Sequence, residues 1–344
     1  MKTAKRAKYT ATLALTCAAL LAAGCQSQVS SDLGEGMGDA TAVPSPPGIR
    51  PAGEVIALPE PVARVQAMEN IGEVVALRSP EALTVGTLED LRADSATTVA
   101  LSPECGELTA TDSAFVVACG REVRFYPARD PRHEQVRQVE RPATAATVLS
   151  GGELVTANDA EGEVAIYPEA GDPTVIEVAA PTTQLLSTPL DGAPDAIVRT
   201  WAKDTTIQNI DRSHERQGGR LRVGLGVGRI AVGPRGLVLA SDTTGNQLAV
   251  YTSDEVIRLH QTVPVPESPW AVAWDERHRL AWVASTAGNV LTGWDISKGV
   301  PQRRYELPTV ARATSLVALD SGSLVLASAE GEGLQVINDP TSST

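Results

Sequence analysis

Apolar and polar residues alternate in short stretches along much of the chain, most cleanly in residues 267–307, ESPWAVAWDERHRLAWVASTAGNVLTGWDISKGVPQRRYEL. The alternation predicts four strands, WAVAWD, LAWVAST, NVLTGWDI and QRRYEL, joined by DERHR, TAGN and SKGVP, which carry the Asp, Gly, Asn and Pro that turns require. A four-stranded antiparallel sheet cannot bury both of its faces alone. The stretch therefore reads as one blade of an all-β propeller, stacked against near-copies of itself.

With WAVAWD as the innermost strand of a blade, six further matches follow: RVQAME, TTVALS, AATVLS, TTQLLS, GRIAVG and SLVALD. Their mean spacing of about 42 residues falls in the range of propeller blades, and seven is the best count. ELVTANDAEGEVAIYPE, LVLASDTTGNQLAVYTSD, LAWVASTAGNVLTGWDIS and LVLASAEGEGLQVIND share a buried strand, a turn bearing glycine and a second strand. Gly162, Gly245, Gly288 and Gly331 are expected to supply turn conformations that other residues resist. This layout resembles the YVTN and WD40-like repeats of bacterial surface and periplasmic propellers. Trp294 and Asp295 match the WD dipeptide, while the companion Gly-His pair is absent. The last blade lacks a fourth strand, and GEVIALP, residues 53–59, belongs to no other blade. It is expected to fill that place and close the ring.

The first residues have a different character. Lys2, Lys5, Arg6 and Lys8 precede an apolar run over residues 11–23, which is too short for a membrane span and ends in LLAAGC. Ala22, Ala23, Gly24 and Cys25 resemble the bacterial lipoprotein lipobox, which implies that residues 1–24 are a signal peptide and that Cys25 is lipidated. Residues 25–52 are rich in Ser, Gly and Pro and read as a flexible tether with a reach on the order of 30 Å. The propeller is expected over residues 53–338, followed by a short tail, 339–344.

Processing also changes the charge, since loss of the four basic leader residues takes the formal net charge from −13 to −17. Such acidity argues against nucleic acid or an anionic membrane surface as a broad partner. Beyond the leader and Cys25 only Cys105 and Cys119 remain, flanking a hairpin; a disulfide suits an oxidising compartment, with two reduced buried thiols as the alternative.

Candidate chemistry is sparse. His133, His214, His260 and His278 are scattered among turns and strand ends, and no HExxH, zinc spacing or GxSxG elbow occurs, so no metal, cofactor or catalytic set is expected. GLGVG, residues 224–228, precedes a strand rather than a helix and reads as a loop between blades. Trp274 and Trp282 are expected to pack between blades. Trp270 begins an innermost strand, and Arg64, Arg229 and Arg312 hold comparable positions. Together they would ring a channel mouth suited to an anionic or carbohydrate-like ligand or a peptide partner, unless the arginines pair with neighbouring acids.

Lipobox, tether and propeller together resemble the LppL-type lipoproteins of actinobacteria. They imply an exported binding or scaffold module held at the cell envelope by a lipid anchor. Two other readings stay open. One is a propeller enzyme, a lactonase-like hydrolase or a quinone-dependent dehydrogenase, since NVLTGWD resembles quinone-binding repeats. The other is a subunit of an envelope assembly complex, similar to the propeller lipoprotein of outer-membrane barrel assembly.

Overall fold

A computed structural model describes residues 37–47 and 50–342; the expected signal peptide, Cys25 and the first part of the expected tether lie outside the described residues. Seven antiparallel sheets surround a central channel. Blade 1 runs from Ala67–Ile71 to Thr97–Ala100, blade 2 from Cys105–Ala110 to Gln135–Ala143, and blade 3 from Ala145–Val148 to Thr174–Glu177. Blade 4 runs from Gln184–Leu190 to Arg216–Arg222, blade 5 from Val227–Val232 to Ile257–Pro264, and blade 6 from Pro269–Asp275 to Gln302–Pro308. Blade 7 has Ala313–Ala318, Leu324–Ser328 and Leu334–Ile337, completed by Glu54–Ile56.

In blade 2 the long strand Ala114–Pro127 folds back on itself. The Ala128 N–H donates to the Ser113 carbonyl at 2.9 Å, and Gly120, at φ +65°, takes the turn. Two-residue hairpins favour glycine at that position, so this blade too has four strands. Ring closure follows the expectation from the sequence, with Glu54 opposite Val336 and Ile56 opposite Leu334. Gly53 is required by proximity, because a Cβ there would lie 2.1 Å from the Val336 carbonyl oxygen.

One innermost strand is displaced. TTVALS supplies the outermost strand of blade 1, where Ala82 pairs with Ala100, and CGELTA takes the innermost place in blade 2. The cause is an inserted helix, Leu88–Arg92, held by a capping box between Thr87 and Asp90, which lengthens blade 1 before its fourth strand. The burial of Thr97–Ala100 alternates between exposed and half-buried, as an outer strand requires.

Side chains from adjacent blades meet in seven apolar clusters, one at each seam. Within Leu280–Ser285 every residue is buried, because alternate side chains enter opposite seams. Trp282 goes to the seam with blade 7 and Val283 to the seam with blade 5. Trp282 stacks on Tyr305, and Gly293 makes room for it, since a Cβ there would lie 2.6 Å from the indole.

Several buried polar groups on the scaffold are bonded, whereas the buried hydroxyls of Tyr167 and Ser253 have no partner among the described residues. Asp242 accepts from the N–H groups of Leu225, Gly226 and Gly245, so the GLGVG loop spends two of its amides on an internal carboxylate. A Cβ on Gly245 would lie 1.9 Å from that carboxylate. The left-handed conformation in this turn falls on Asn246, at φ +55°, and in blade 6 on Asn289, rather than on the preceding glycines; Gly331, at φ +90°, does adopt it. Asp275 accepts from the His278 N–H and ring and from the Trp282 indole, which gives His278 a role in anchoring its turn. Arg199, fully buried, donates to Thr182, Gln208 and the carbonyls of Ala180 and Pro181, and burial pulls its pKa down to about 10.

Residues 37–47, expected within the tether, lie along blades 4 to 7 as an ordered strap. Gly38 donates to the Leu225 carbonyl at 2.8 Å, Asp39 to Ala202 at 3.0 Å and Val43 to the Ser268 hydroxyl at 3.1 Å. Ser45 donates to the Thr286 carbonyl and accepts from the Arg312 N–H. Composition does not disclose the strap because its few large side chains contribute little; it is held by backbone and hydroxyl bonds to loops.

Two stability effects follow. Deleting residues 53–59 exposes the outer edge of blade 7 and removes Ile56 from its seam, and should lower the melting temperature by roughly 10 °C or more. Arg199→Ala strands several buried acceptors and should cost about 3 kcal/mol in urea unfolding.

Candidate functional site: the central channel

Each innermost strand starts at the loop arriving from the previous blade, and these loops form one face of the ring, here the upper face. Innermost strands of every blade except the third line a central cavity of about 190 Å³. The wall is mixed, with Ala231, Ala271 and Leu316 beside the polar Asn70, Thr109, Gln184 and Thr314. Three charged residues line it: Glu69 of blade 1, Glu107 of blade 2 and Arg229 of blade 5.

Local structure places Glu107. A bulge interrupts pairing between Cys105 and Leu108, and Gly106 passes so near blade 3 that a Cβ would lie 1.8 Å from the Thr144 carbonyl oxygen. The Glu107 N–H donates to that carbonyl at 2.7 Å. Cys105 and Cys119, directly opposed with Cα atoms 4.0 Å apart, are joined in a disulfide that ties the first two strands together beside the bulge.

Arg229 crosses the channel. Its guanidinium pairs with Glu107 at 2.8 Å and donates to the Gln66 carbonyl of blade 1 at 3.3 Å, linking three blades. Arg78 donates to the Gln66 side chain and the Cys105 carbonyl; burial holds its pKa below the ordinary value, with Glu107 acting in the opposite direction. A second cavity, about 350 Å³, contains Arg78, Glu107 and Thr144 and leads outward from this pair.

Glu69 differs from the other acids. Among the described residues, its carboxyl takes part in no hydrogen bond or ion pair. It keeps some contact with the cavity space, yet protein surrounds it, and burial pushes its pKa up to about 7; Arg229 opposes this rise and Glu107 adds to it. Ser315, on the neighbouring innermost strand of blade 7, also lines the cavity, and its buried hydroxyl finds no partner.

Of the four residues singled out from sequence at the channel mouth, only Arg229 lines this cavity. Trp270 is half-buried and packs on the seam between blades 6 and 7. Arg312 grips the strap through the Ala42 carbonyl at 2.6 Å and pairs with Glu330 at 3.3 Å, while Arg64 stands exposed before blade 1. Trp274, expected in a seam, is half-buried and reaches the channel as well as its seam. Glu107 was hidden by the displaced strand of blade 2. Glu69 is the last residue of RVQAME, and only its place on an innermost strand marks it.

No family model and no curated protein sequence matches the chain. Solved structures do resemble it. A chain of the mitotic checkpoint complex superposes with a TM-score of 0.63 at 13% identity, covering 86% of this chain and 97% of that one. Virginiamycin B lyase from Staphylococcus aureus gives 0.62 at 11%, covering 83% and 99%. The WD40 propeller domain of Doa1 gives 0.59 at 10%, covering 83% and 96%. At such identities the likeness is one of fold.

The raised pKa of Glu69 predicts a pH dependence. A carboxyl whose folded pKa of about 7 exceeds its ordinary 4.5 favours the folded state most below pH 4.5, and that contribution is lost as pH rises through 7. Glu69→Gln should therefore become more stable relative to the parent between pH 4.5 and 8, by about 2 kcal/mol, in urea unfolding. An equal difference at both pH values would contradict this account of Glu69.

Proposed function

We propose that the protein is an exported, lipid-anchored propeller that docks a partner protein on its upper face at the cell envelope. The carrying observation is the strap. Loops of blades 4 to 7 already bind an extended polypeptide, through the Leu225 and Ala202 carbonyls, the Ser268 hydroxyl and the Arg312 guanidinium. Ser268 and Arg312 both take left-handed backbone conformations, at φ +57° and +53°, in the loops where the strap sits. Such conformations cost energy in residues other than glycine and are retained where the surroundings fix them.

Three further features support the reading. The leader resembles that of lipoproteins, the disulfide between Cys105 and Cys119 suits a compartment outside the cytoplasm, and WD40 propellers are among the structural neighbours. Among the described residues, the strap's hydrogen bonds stop short of blades 1 to 3, which leaves their upper loops and the exposed Arg64 as the surface proposed for a partner. An enzymatic reading has one observation in its favour, the strongly shifted Glu69 in a cavity. Scaffold and enzyme separate on whether activity requires a second protein.

Cys25→Ser should release the protein from the membrane fraction and abolish incorporation of a fatty-acid label. A photo-crosslinker replacing Arg64 should capture a protein partner in intact cells, while one replacing Val175 on the outer edge should not. Equal yields from the two positions would remove the upper face as the docking surface.

A further inference from the structure

We infer that the upper loops of blades 4 to 7 form a groove for an extended segment of a partner protein, with small residues at alternate positions followed by a proline-flanked serine, and that residues 37–47 are its intramolecular competitor. This deepens the proposed docking role and rests on it, by naming what the partner presents.

The strap alternates along its length. Gly38 and Ala40 are half-buried and Ala42 is buried, whereas Asp39, Thr41 and Val43 are exposed, which is the period of an extended backbone with one edge turned to the ring. The inward positions demand small residues. Gly38 takes φ +93°, and a Cβ there would lie 2.1 Å from the Lys203 carbonyl oxygen. Ala40 faces Gly226 so closely that a Cβ on that glycine would lie 2.8 Å from the alanine methyl.

Polar contacts then fix the register. The Arg312 guanidinium donates to the Ala42 carbonyl at 2.6 Å, the Val43 N–H donates to the Ser268 hydroxyl at 3.1 Å, and the Asn289 side chain donates to the Pro46 carbonyl at 3.0 Å. Between them the Ser45 hydroxyl donates to the Thr286 carbonyl and accepts from the Arg312 N–H, both at 2.8 Å. Pro44, Pro46 and Pro47 restrict the backbone to extended conformations in advance, so little freedom is lost on docking.

Bonds within the ring hold the groove independently of its occupant. The Ser268 N–H donates to the Asn246 side chain at 2.9 Å, the Thr286 N–H to the Ser268 carbonyl at 3.0 Å, and the Ala329 N–H to the Arg312 carbonyl at 3.0 Å. The occupant itself is lightly held. Among residues 37–47 only Ala42 is buried, and segments with so little buried apolar surface open far more readily than the ring they lie on. A partner retained by the loops of blades 1 to 3 would present its own segment at high effective concentration and replace the strap.

The test uses a fluorescent peptide of the strap sequence, MGDATAVPSPP, and the full chain with residues 37–47 replaced by a Gly-Ser stretch of equal length. The peptide should bind this open protein at least tenfold more tightly than the parent. Ala42→Asp in the peptide should weaken binding at least tenfold, and Arg312→Ala in the open protein severalfold. No binding to the open protein, or equal binding of a scrambled peptide, would overturn the assignment. In the parent, the amides of Gly38, Asp39 and Val43 should exchange hydrogen at least a hundredfold faster than that of Leu326; equal rates would make the strap a permanent part of the ring and overturn the assignment whatever the variants do. A parent dimer that is lost on replacing residues 37–47 would give the groove to a second copy instead. Loss of crosslinking from position 64 with peptide binding intact would remove the docking surface on blades 1 to 3, whereas crosslinking without peptide binding would remove the groove alone.

Discussion

The fold depends on burial of each sheet on both faces. A blade such as Pro269–Asp275 with its three partner strands has apolar side chains directed to two seams at once, so its stability requires a neighbour on either side. That requirement passes round the ring, and the blade most exposed to failure is the seventh, whose outer strand comes from residues far away in the chain. Pairing of Glu54–Ile56 with Leu334–Ile337 turns an open stack into a closed one. Closure also fixes the geometry of the channel, since seven innermost strands meet at one axis only when no seam is open.

Repetition makes the architecture legible in the sequence. Alternation within strands, glycine-bearing turns and a spacing of about 42 residues pointed to seven blades and to the closing strand. The reading failed locally in blade 2, where a short helix in blade 1 moved the register and a strand containing Gly106 and Glu107 took the inner place of the more regular TTVALS. A periodic pattern identifies strands well but says less about which position in a blade each one occupies. The strap was illegible for a different reason: its bonds run from backbone groups and Ser45 to loops more than 150 residues away, and no apolar period accompanies them.

Sites in propellers are especially hard to read from sequence, because each blade contributes one or two residues at the axis. Glu69, Glu107, Arg229 and Ser315 come from four blades and form no local motif. Of the four positions taken as equivalent, Arg229 lines the central cavity, while Arg64, Trp270 and Arg312 lie outside its lining. Small differences in where a strand begins decide whether its first side chain reaches the axis, packs into a seam or holds a loop.

Polar groups, as well as apolar seams, tie the ring together. Arg199 shows that the scaffold can bury even an arginine without a carboxylate partner, provided carbonyls and side-chain oxygens surround it. The Glu107 and Arg229 pair does similar work across the channel, holding blades 1, 2 and 5 at a fixed distance.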